Sequence, residues 1–314
     1  MKKISIVSGC FNEEENLLDL YSQVNKTIKH LREKYLFEFI IIDNDSQDKS
    51  REILIELAKK DKDLKLIFNN RNFGHIRSPY WAIMQSSGDA TIYLASDLQD
   101  PPELIPEFIK AWERGNSVVM ATKPNSKTNQ FFHFLRKKYY SVLNKISDVE
   151  LTSNTTGFGL YDQSIVDQVK EIKDPYPYLR GLINELGYKI YEIDFIQPKR
   201  DKGESKNNLY TLYDIGMLGI VSHSKVPIRT ASFLGFFLGS ISIFSAIGLV
   251  VLKVLNWDEY SAGLATIGVL LLFFIGMVLI FIGLLGEYIL SIHTYVKNRP
   301  IVVEKERINF DEKN

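Results

Sequence analysis

The stretch KISIVSGCFNEEENLLDLY, residues 3–21, passes from a short β-branched run through a polar turn into a helical pattern. The same alternation continues outward from it. FEFIIID (37–43) reads as a second buried strand that ends on a carboxylate, and DKSREILIELA (48–58) as a helix with Asp48 as its N-cap. LKLIF (64–68) is a third strand, followed by a loop and a helical stretch near Tyr80 to Ser86. ATIYLA (90–95) is a fourth strand and SVVMA (117–121) a fifth. Strands separated by helices of this length imply an α/β fold, a mostly parallel sheet with helices on both faces. Ligands of such sheets bind beyond the carboxyl ends of the strands. The polar clusters 12–15, 43–48, 71–74 and 97–100 fall at those ends. No Gly-x-Gly-x-x-Gly follows the first strand, which disfavours a dinucleotide oxidoreductase.

The chain has 314 residues, with 38 basic and 38 acidic side chains, so no global charge field points to nucleic acid. A single cysteine, Cys10, excludes an intrachain disulfide framework. Charge is unevenly spread. Residues 230–252 and 260–286 are two runs of 23 and 27 uncharged residues, and each exceeds the roughly 20 apolar residues that span a bilayer as a helix. We expect residues 1–207 to form a cytosolic domain, 208–229 a juxtamembrane amphipathic helix, and 230–255 and 261–288 a C-terminal two-helix transmembrane hairpin. Residues 289–314 then form a cytoplasmic tail. Lys225, Arg229, Lys297 and Arg299 flank the spans, while the link carries Lys253 against Asp258 and Glu259, so the positive-inside rule puts both termini in the cytoplasm. The N-terminus has no signal-peptide pattern, and the expected location is the inner (plasma) membrane, multi-pass. Gly235 and Gly239 are spaced for close helix contact, compatible with a homo-oligomer.

Four blocks in order carry a resemblance: CFNEEEN (10–16), DNDSQD (43–48), RNFG (71–74) and SDLQDPPELIP (96–106). The sequence resembles glycosyltransferase family 2, and within it the membrane-bound polyprenyl-phosphate glycosyltransferases, similar to dolichol-phosphate mannose synthases and bactoprenol glucosyltransferases. The likeness continues through YLRGL (178–182), RDKGESK (200–206), GEY (286–288) and KNRPIVV (297–303). It implies a GT-A fold, a UDP-linked nucleotide-sugar donor, a divalent metal (Mg²⁺ or Mn²⁺) and a polyprenyl phosphate acceptor in the lipid bilayer.

The resemblance also implies roles. Asp97 is the metal ligand and catalytic centre, with the amide of Gln99 beside it, since such cations take oxygen ligands and substrate phosphates. Asp100, before two prolines, reads as a helix N-cap. Asp43 meets the donor base; Phe11 and Glu13 match the same nucleotide pocket; Arg71 and Asn72 reach it from the third strand. Asn16 reads as a turn residue at the helix start. Arg200, Ser205 and Lys206 form a lid over the diphosphate and acceptor phosphate. Lys123, Arg136 and Lys137 are a second basic group, suited either to lipid-phosphate entry or to simple attraction to anionic lipid. The sequence departs from its relatives at Ala95, where they carry the first acid of Asp-x-Asp. It departs again at Gly157 and Gly159, where they carry charged side chains. Glu185 is the nearest acid for a base-like role, and His75 stands beside the donor loop. Two alternatives stay open: a saccharide acceptor, or a turnover-deficient, membrane-anchored nucleotide-sugar-binding protein.

Overall fold

The computed structural model describes residues 1–123, 155–172, 179–198, 224–255, 264–297 and 299–310, together with 174, 177, 217 and 221. The order is β1 (Lys2–Cys10), α1 (Leu17–Ile28), β2 (Tyr35–Asp43), α2 (Ser50–Lys60), β3 (Leu64–Asn69), α3 (Gly74–Met84), β4 (Ala90–Ala95), α4 (Ile105–Glu113) and β5 (Val118–Thr122). There follow β6 (Thr155–Asp162), α5 (Gln163–Ile172), α6 (Leu179–Glu185), β7 (Ile190–Asp194), α7 (Val226–Leu255), α8 (Leu264–Val296) and β8 (Glu304–Ile308).

Eight strands form one sheet in the order β7-β5-β6-β4-β1-β2-β3-β8. β1 runs parallel to β2 and β4, as β2 does to β3 and β5 to β7, while β6 and β8 are antiparallel to their neighbours. The central strands are predominantly apolar because both faces are covered. On one face Ile4, Ile6, Phe39 and Ile41 pack with Leu17, Leu20 and Val24 of α1, Leu54 of α2 and Phe108 of α4. On the other, Val7, Ile40, Ile42 and Ile67 pack with Tyr80 and Ile83 of α3 and with Val166 and Val169 of α5. The α/β layering expected from the alternation is present.

The register sets the level of the site. Cys10 lies opposite Asp43, and Gly9 opposite Ala95, so β1, β2 and β4 end side by side. Gly9 also has a packing reason: a Cβ there would meet Pro79 Cγ at 2.9 Å, so α3 lies close over the end of β1.

At the opposite end of the sheet Glu38, 2% exposed, sits inside β2. Lys3 and Lys65 approach it at 2.7 and 2.9 Å, Ser5 Oγ donates at 2.5 Å and Ser87 N at 2.9 Å. Burial opposes its ionisation, yet the bonds from Lys3, Ser5, Lys65 and Ser87 hold the carboxyl down at about 2, against an ordinary 4.5. A depressed folded pKa contributes stability above the unfolded value that is lost as pH falls through the folded one. Stability is therefore expected to decline between pH 4.5 and about 2. Glu38→Gln should cost on the order of 3 kcal/mol at neutral pH and flatten that acid limb. Thermal unfolding in detergent across this range checks it; an unchanged acid limb in the variant would show that Glu38 does not set it.

Three differences from the sequence reading have physical reasons. The strand β8 lies within the segment expected to be a tail. It is anchored by Arg51 Nη2 to Glu306 Oε2 at 2.7 Å, by a contact of Trp81 Nε1 with Glu304, and by Asn309 Nδ2 donating to Ala58 O and Leu64 O at 2.8 Å each. Its charged sequence, EKERI, hides an edge strand whose partner is remote in the chain. Asp100 is not an N-cap: it is 4% exposed, its Oδ2 accepts from Ala95 N at 3.0 Å, and the following turn starts after Pro101. Asp48 lies one residue before the N-cap, Lys49, although its Oδ1 accepts from Ser50 N at 3.0 Å.

Residues 230–252 lie in α7 and 264–286 in α8; the two helices are in contact, and Tyr288 OH of α8 donates to Ser224 O, just before α7, at 2.9 Å. α7 starts at Val226 rather than 230 because Pro227 is tolerated in a first helical turn. α8 continues to Val296 rather than 288, since one charge, Glu287, does not end a helix. Among the described residues one helical segment, Phe273–Val296, is long and apolar enough to cross a membrane, and none of it is buried within the protein. The expected amphipathic helix at 208–229 lies largely outside the described residues, as does the link at 256–260.

Candidate active site

A cavity of 320 Å³ opens at the carboxyl ends of β1, β2 and β4. Phe11 and Glu13 line it from the loop after β1, Asn44 from the end of β2, Asn72 and His75 from the loop after β3 and the start of α3, and Asp97 from the loop after β4. They sit in the segments that follow the carboxyl ends of neighbouring parallel strands, which is why the fold delivers them to one place.

The loops are tied to one another. Asn12 N donates to Ser46 Oγ at 2.9 Å, Gln47 N to Asn12 Oδ1 at 2.7 Å, and Glu13 N to Ser50 Oγ at 2.9 Å. Glu13 also accepts from Asn16 Nδ2 at 2.6 Å, which keeps Asn16 at the turn into α1 as expected. Asn12, Asp45 and Leu98 have φ of 53°, 66° and 58°. Asn and Asp tolerate this left-handed backbone, whereas for leucine it costs about 1–3 kcal/mol. At Leu98 the reversal separates two acids: Asp97 lines the cavity, with Oδ1 accepting from Gln99 N at 3.2 Å, while Asp100 turns back onto β4. Burial, with a smaller push from the Asp97 charge, raises Asp100 to about 6.

Asp43 stands just behind the lining. It is 2% exposed, Oδ2 accepts from Ser46 N at 3.2 Å, and Oδ1 has no hydrogen-bond partner among the described residues. Burial raises its pKa against the pull of Ser46. A buried acceptor left open beside a cavity is suited to a ligand N–H. Burial also pushes the Cys10 thiol up, so this cysteine is inert rather than nucleophilic.

Asn44 is the residue that sequence reasoning passed over. Its Oδ1 accepts from Asn69 Nδ2 and Phe73 N, both at 2.9 Å, and its Nδ2 donates to Asn72 Oδ1 at 2.9 Å and Gly74 O at 3.2 Å. It thus fixes the loop after β3 against the end of β2. Its only sequence signal was its place one residue past the strand in DNDSQD.

Not every candidate converges. The Arg71 guanidinium stacks on Phe73, 4.0 Å from the ring centroid, and lines a different cavity. Glu185 ends α6 and does not line this one. Lys123 lies 6.0 Å from the Phe195 ring centroid. Arg136, Lys137, Arg200, Ser205 and Lys206 lie outside the described residues, and Gln99 is not among the residues that line the cavity.

Backbone geometry accounts for glycine at positions 157 and 159. Gly157 has φ +87°, and a Cβ on Gly159 would run into Val119 O, with Met120 Cα at 3.0 Å. β6 lies too close to β5 at that point for any side chain. Gly159→Ala is expected to cost about 1–3 kcal/mol through overpacking. A melting temperature equal to wild type would show that the strands can separate.

The profile of the family described as Glycosyl transferase family 2 matches residues 5–170. The chain is 31% identical over 310 residues to an uncharacterised glycosyltransferase, YkcC, of Bacillus subtilis (strain 168), covering 98% of this chain and 95% of that protein. It is 32% identical over 310 residues to a prophage-derived bactoprenol glucosyl transferase of Shigella flexneri, covering 97% and 98%. With the undecaprenyl-phosphate 4-deoxy-4-formamido-L-arabinose transferase of Photorhabdus laumondii subsp. laumondii it shares 31% over 302 residues, covering 96% and 92%. Among solved structures, glucosyl-3-phosphoglycerate synthase from Mycobacterium tuberculosis, in complex with Mn²⁺, UDP and phosphoglyceric acid, matches with a TM-score of 0.50 at 16% identity, over 70% of this chain and 76% of that one. That likeness is one of fold. The strand-end cavity, the matched span and relatives aligned over nearly the whole chain together establish that the chain belongs to glycosyl transferase family 2 and is a glycosyltransferase.

Proposed function

We propose that the protein transfers a sugar, with inversion, from a UDP-linked donor to polyprenyl phosphate at the cytoplasmic face of the plasma membrane. The observation that carries this reading is the cavity that gathers Phe11, Glu13, Asn44, Asn72 and Asp97 in one wall, backed by the open acceptor of Asp43. Phe11 offers a face for a base, and Asp43 Oδ1 an acceptor for the imide N–H of uracil. The names of relatives aligned end to end, bactoprenol glucosyl transferase and undecaprenyl-phosphate transferase, support the acceptor.

The donor set fits a hard divalent cation. Asp97 presents a carboxylate to the cavity, and Gln99, two residues on, carries an amide; both side chains offer oxygen ligands, and Mg²⁺ or Mn²⁺ takes one or two protein oxygens plus substrate phosphates. When bound, such a cation neutralises charge on the leaving diphosphate. Asn44 and Asn72 hold the donor loop in place. Arg200, Ser205 and Lys206 supply charge-assisted bonds to the phosphates. An oxygen of the acceptor phosphate attacks the anomeric carbon while the bond to the diphosphate breaks, and UDP leaves with the electron pair. With a second pKa near 6, the acceptor is largely dianionic at neutral pH and loses no proton in this step.

In this reading α7 and α8 are a transmembrane hairpin. β8 supports it, because the chain leaves the catalytic domain before α7 and rejoins the same sheet after α8, which demands an even number of crossings. A cysteine replacing Asp258 in a Cys10→Ser background is expected to react with an impermeant thiol reagent outside intact cells. Reaction only after lysis would overturn the hairpin. The activity itself is tested by incubating purified protein with a panel of nucleotide-sugars, undecaprenyl phosphate and Mg²⁺ or Mn²⁺. Lipid-linked product of the expected mass supports the reading, and turnover only with a saccharide acceptor ends it.

A further inference from the structure

A second cavity, of 380 Å³, lies between the loop after β3 and the end of α8. Its charged and titratable walls are all of one kind: Arg71, Arg77, His293, Lys297 and Arg299, with no carboxylate among the lining residues. Nearby cations on the β8 side are neutralised, Arg51 by Glu306 and Arg307 by Glu304. No such partner is recorded among the described residues for Arg71, Lys297 or Arg299. Stacking on Phe73 holds the Arg71 guanidinium in place, and Arg71 Nη1 donates to Asn72 O at 3.0 Å. Residues of the loop alternate between the two cavities, Arg71 and Phe73 lining this one and Asn72 and Gly74 the donor cavity. Gathering Arg71, Lys297 and Arg299 in one concavity is unfavourable without a counter-charge, and guanidinium and ammonium groups are matched by phosphate oxygens.

We propose that this cavity binds the phosphate of an anionic phospholipid headgroup from the cytoplasmic leaflet, a site separate from the donor cavity. The source is a lipid because one wall, His293 and Thr294, belongs to the last turns of the apolar segment Phe273–Val296, and Lys297 follows directly. Basic pockets at that level of a spanning helix face phosphorylated headgroups. The proposal rests on the reading that α8 spans the bilayer with its Val296 end cytoplasmic.

The test titrates the full-length protein, in a non-ionic detergent, with short-chain phosphatidylglycerol, short-chain phosphatidylcholine or inorganic phosphate, and follows the melting temperature. Phosphatidylglycerol should raise it saturably, and the other two should not at equal concentration. The double variant Lys297→Ala/Arg299→Ala should raise the half-saturating phosphatidylglycerol concentration at least five-fold; a smaller change overturns the site. Equal stabilisation by phosphatidylcholine overturns anion recognition, and equal stabilisation by inorganic phosphate overturns the lipid source. Should the double variant fail to melt cooperatively, Lys297→Gln and Arg299→Gln singly carry the comparison, each expected to weaken the response. Carbonate extraction of membranes reads the insertion of α8 separately. Release into the supernatant ends the membrane reading, whereas retention without a phosphatidylglycerol preference overturns the headgroup site alone.

Discussion

Asp97→Asn is expected to abolish transfer while the protein stays folded and membrane-associated. The substitution keeps the size of the side chain, and an amide oxygen can still accept from Gln99 N, the bond that shapes the turn at Leu98. What disappears is the negative charge that the donor cavity presents toward a cation. Losing preorganised charge stabilisation at a leaving diphosphate costs about 4 kcal/mol or more, a rate loss of roughly 1,000-fold or greater. Lipid-linked product formation with saturating Mg²⁺ and Mn²⁺ measures this, with the melting temperature as the folding control. Activity within a few-fold of wild type, with metal dependence kept, would remove Asp97 from the metal site.

The second large effect separates phosphate chemistry from hydroxyl chemistry. Arg200→Ala and Lys206→Ala should each lower turnover with polyprenyl phosphate by about 2–4 kcal/mol, roughly 30- to 1,000-fold, because each removes a proposed charge-assisted phosphate contact. Glu185→Gln should retain most of its turnover. Glu185 closes α6 within electrostatic range of Tyr295 on α8, away from the donor cavity. Gly159 has no room for a side chain and Gly157 has none to offer, so neither supplies a base. A hydroxyl acceptor would need one far more than a dianionic phosphate does. If Glu185→Gln is inactive and Arg200→Ala nearly normal, the acceptor is a hydroxyl and the lipid-phosphate reading fails. The three variants assayed side by side decide between the two chemistries.

Much of the architecture was legible because the parallel strands are covered on both faces. That makes 4–7, 37–43, 64–68 and 90–95 predominantly apolar runs, and β4 begins and ends where its sequence pattern does. The site was legible for a related reason: in such a sheet the segments that follow the parallel strands share one edge, so Phe11, Glu13, Asn72 and Asp97 meet without any long-range signal being needed. β6 was hidden by its glycines, whose value lies in contact with Val119 and Met120. β8 was hidden by its charges, which are paired with Arg51, Trp81 and an internal Arg307 once the strand is docked.

The sequence by itself determined the α/β alternation, the strand-end position of Asp43 and Asp97, and two long uncharged runs, because burial and local periodicity are written along the chain. Only the tertiary structure decided which way Asp100 and Arg71 face, that Asn44 braces the donor loop, that the glycines of β6 exclude a side chain, and that the C-terminal segment closes the sheet. The last three depend on partners many residues away, and the facing of Asp100 and Arg71 on the course of the loop that carries them; neither is written in local periodicity.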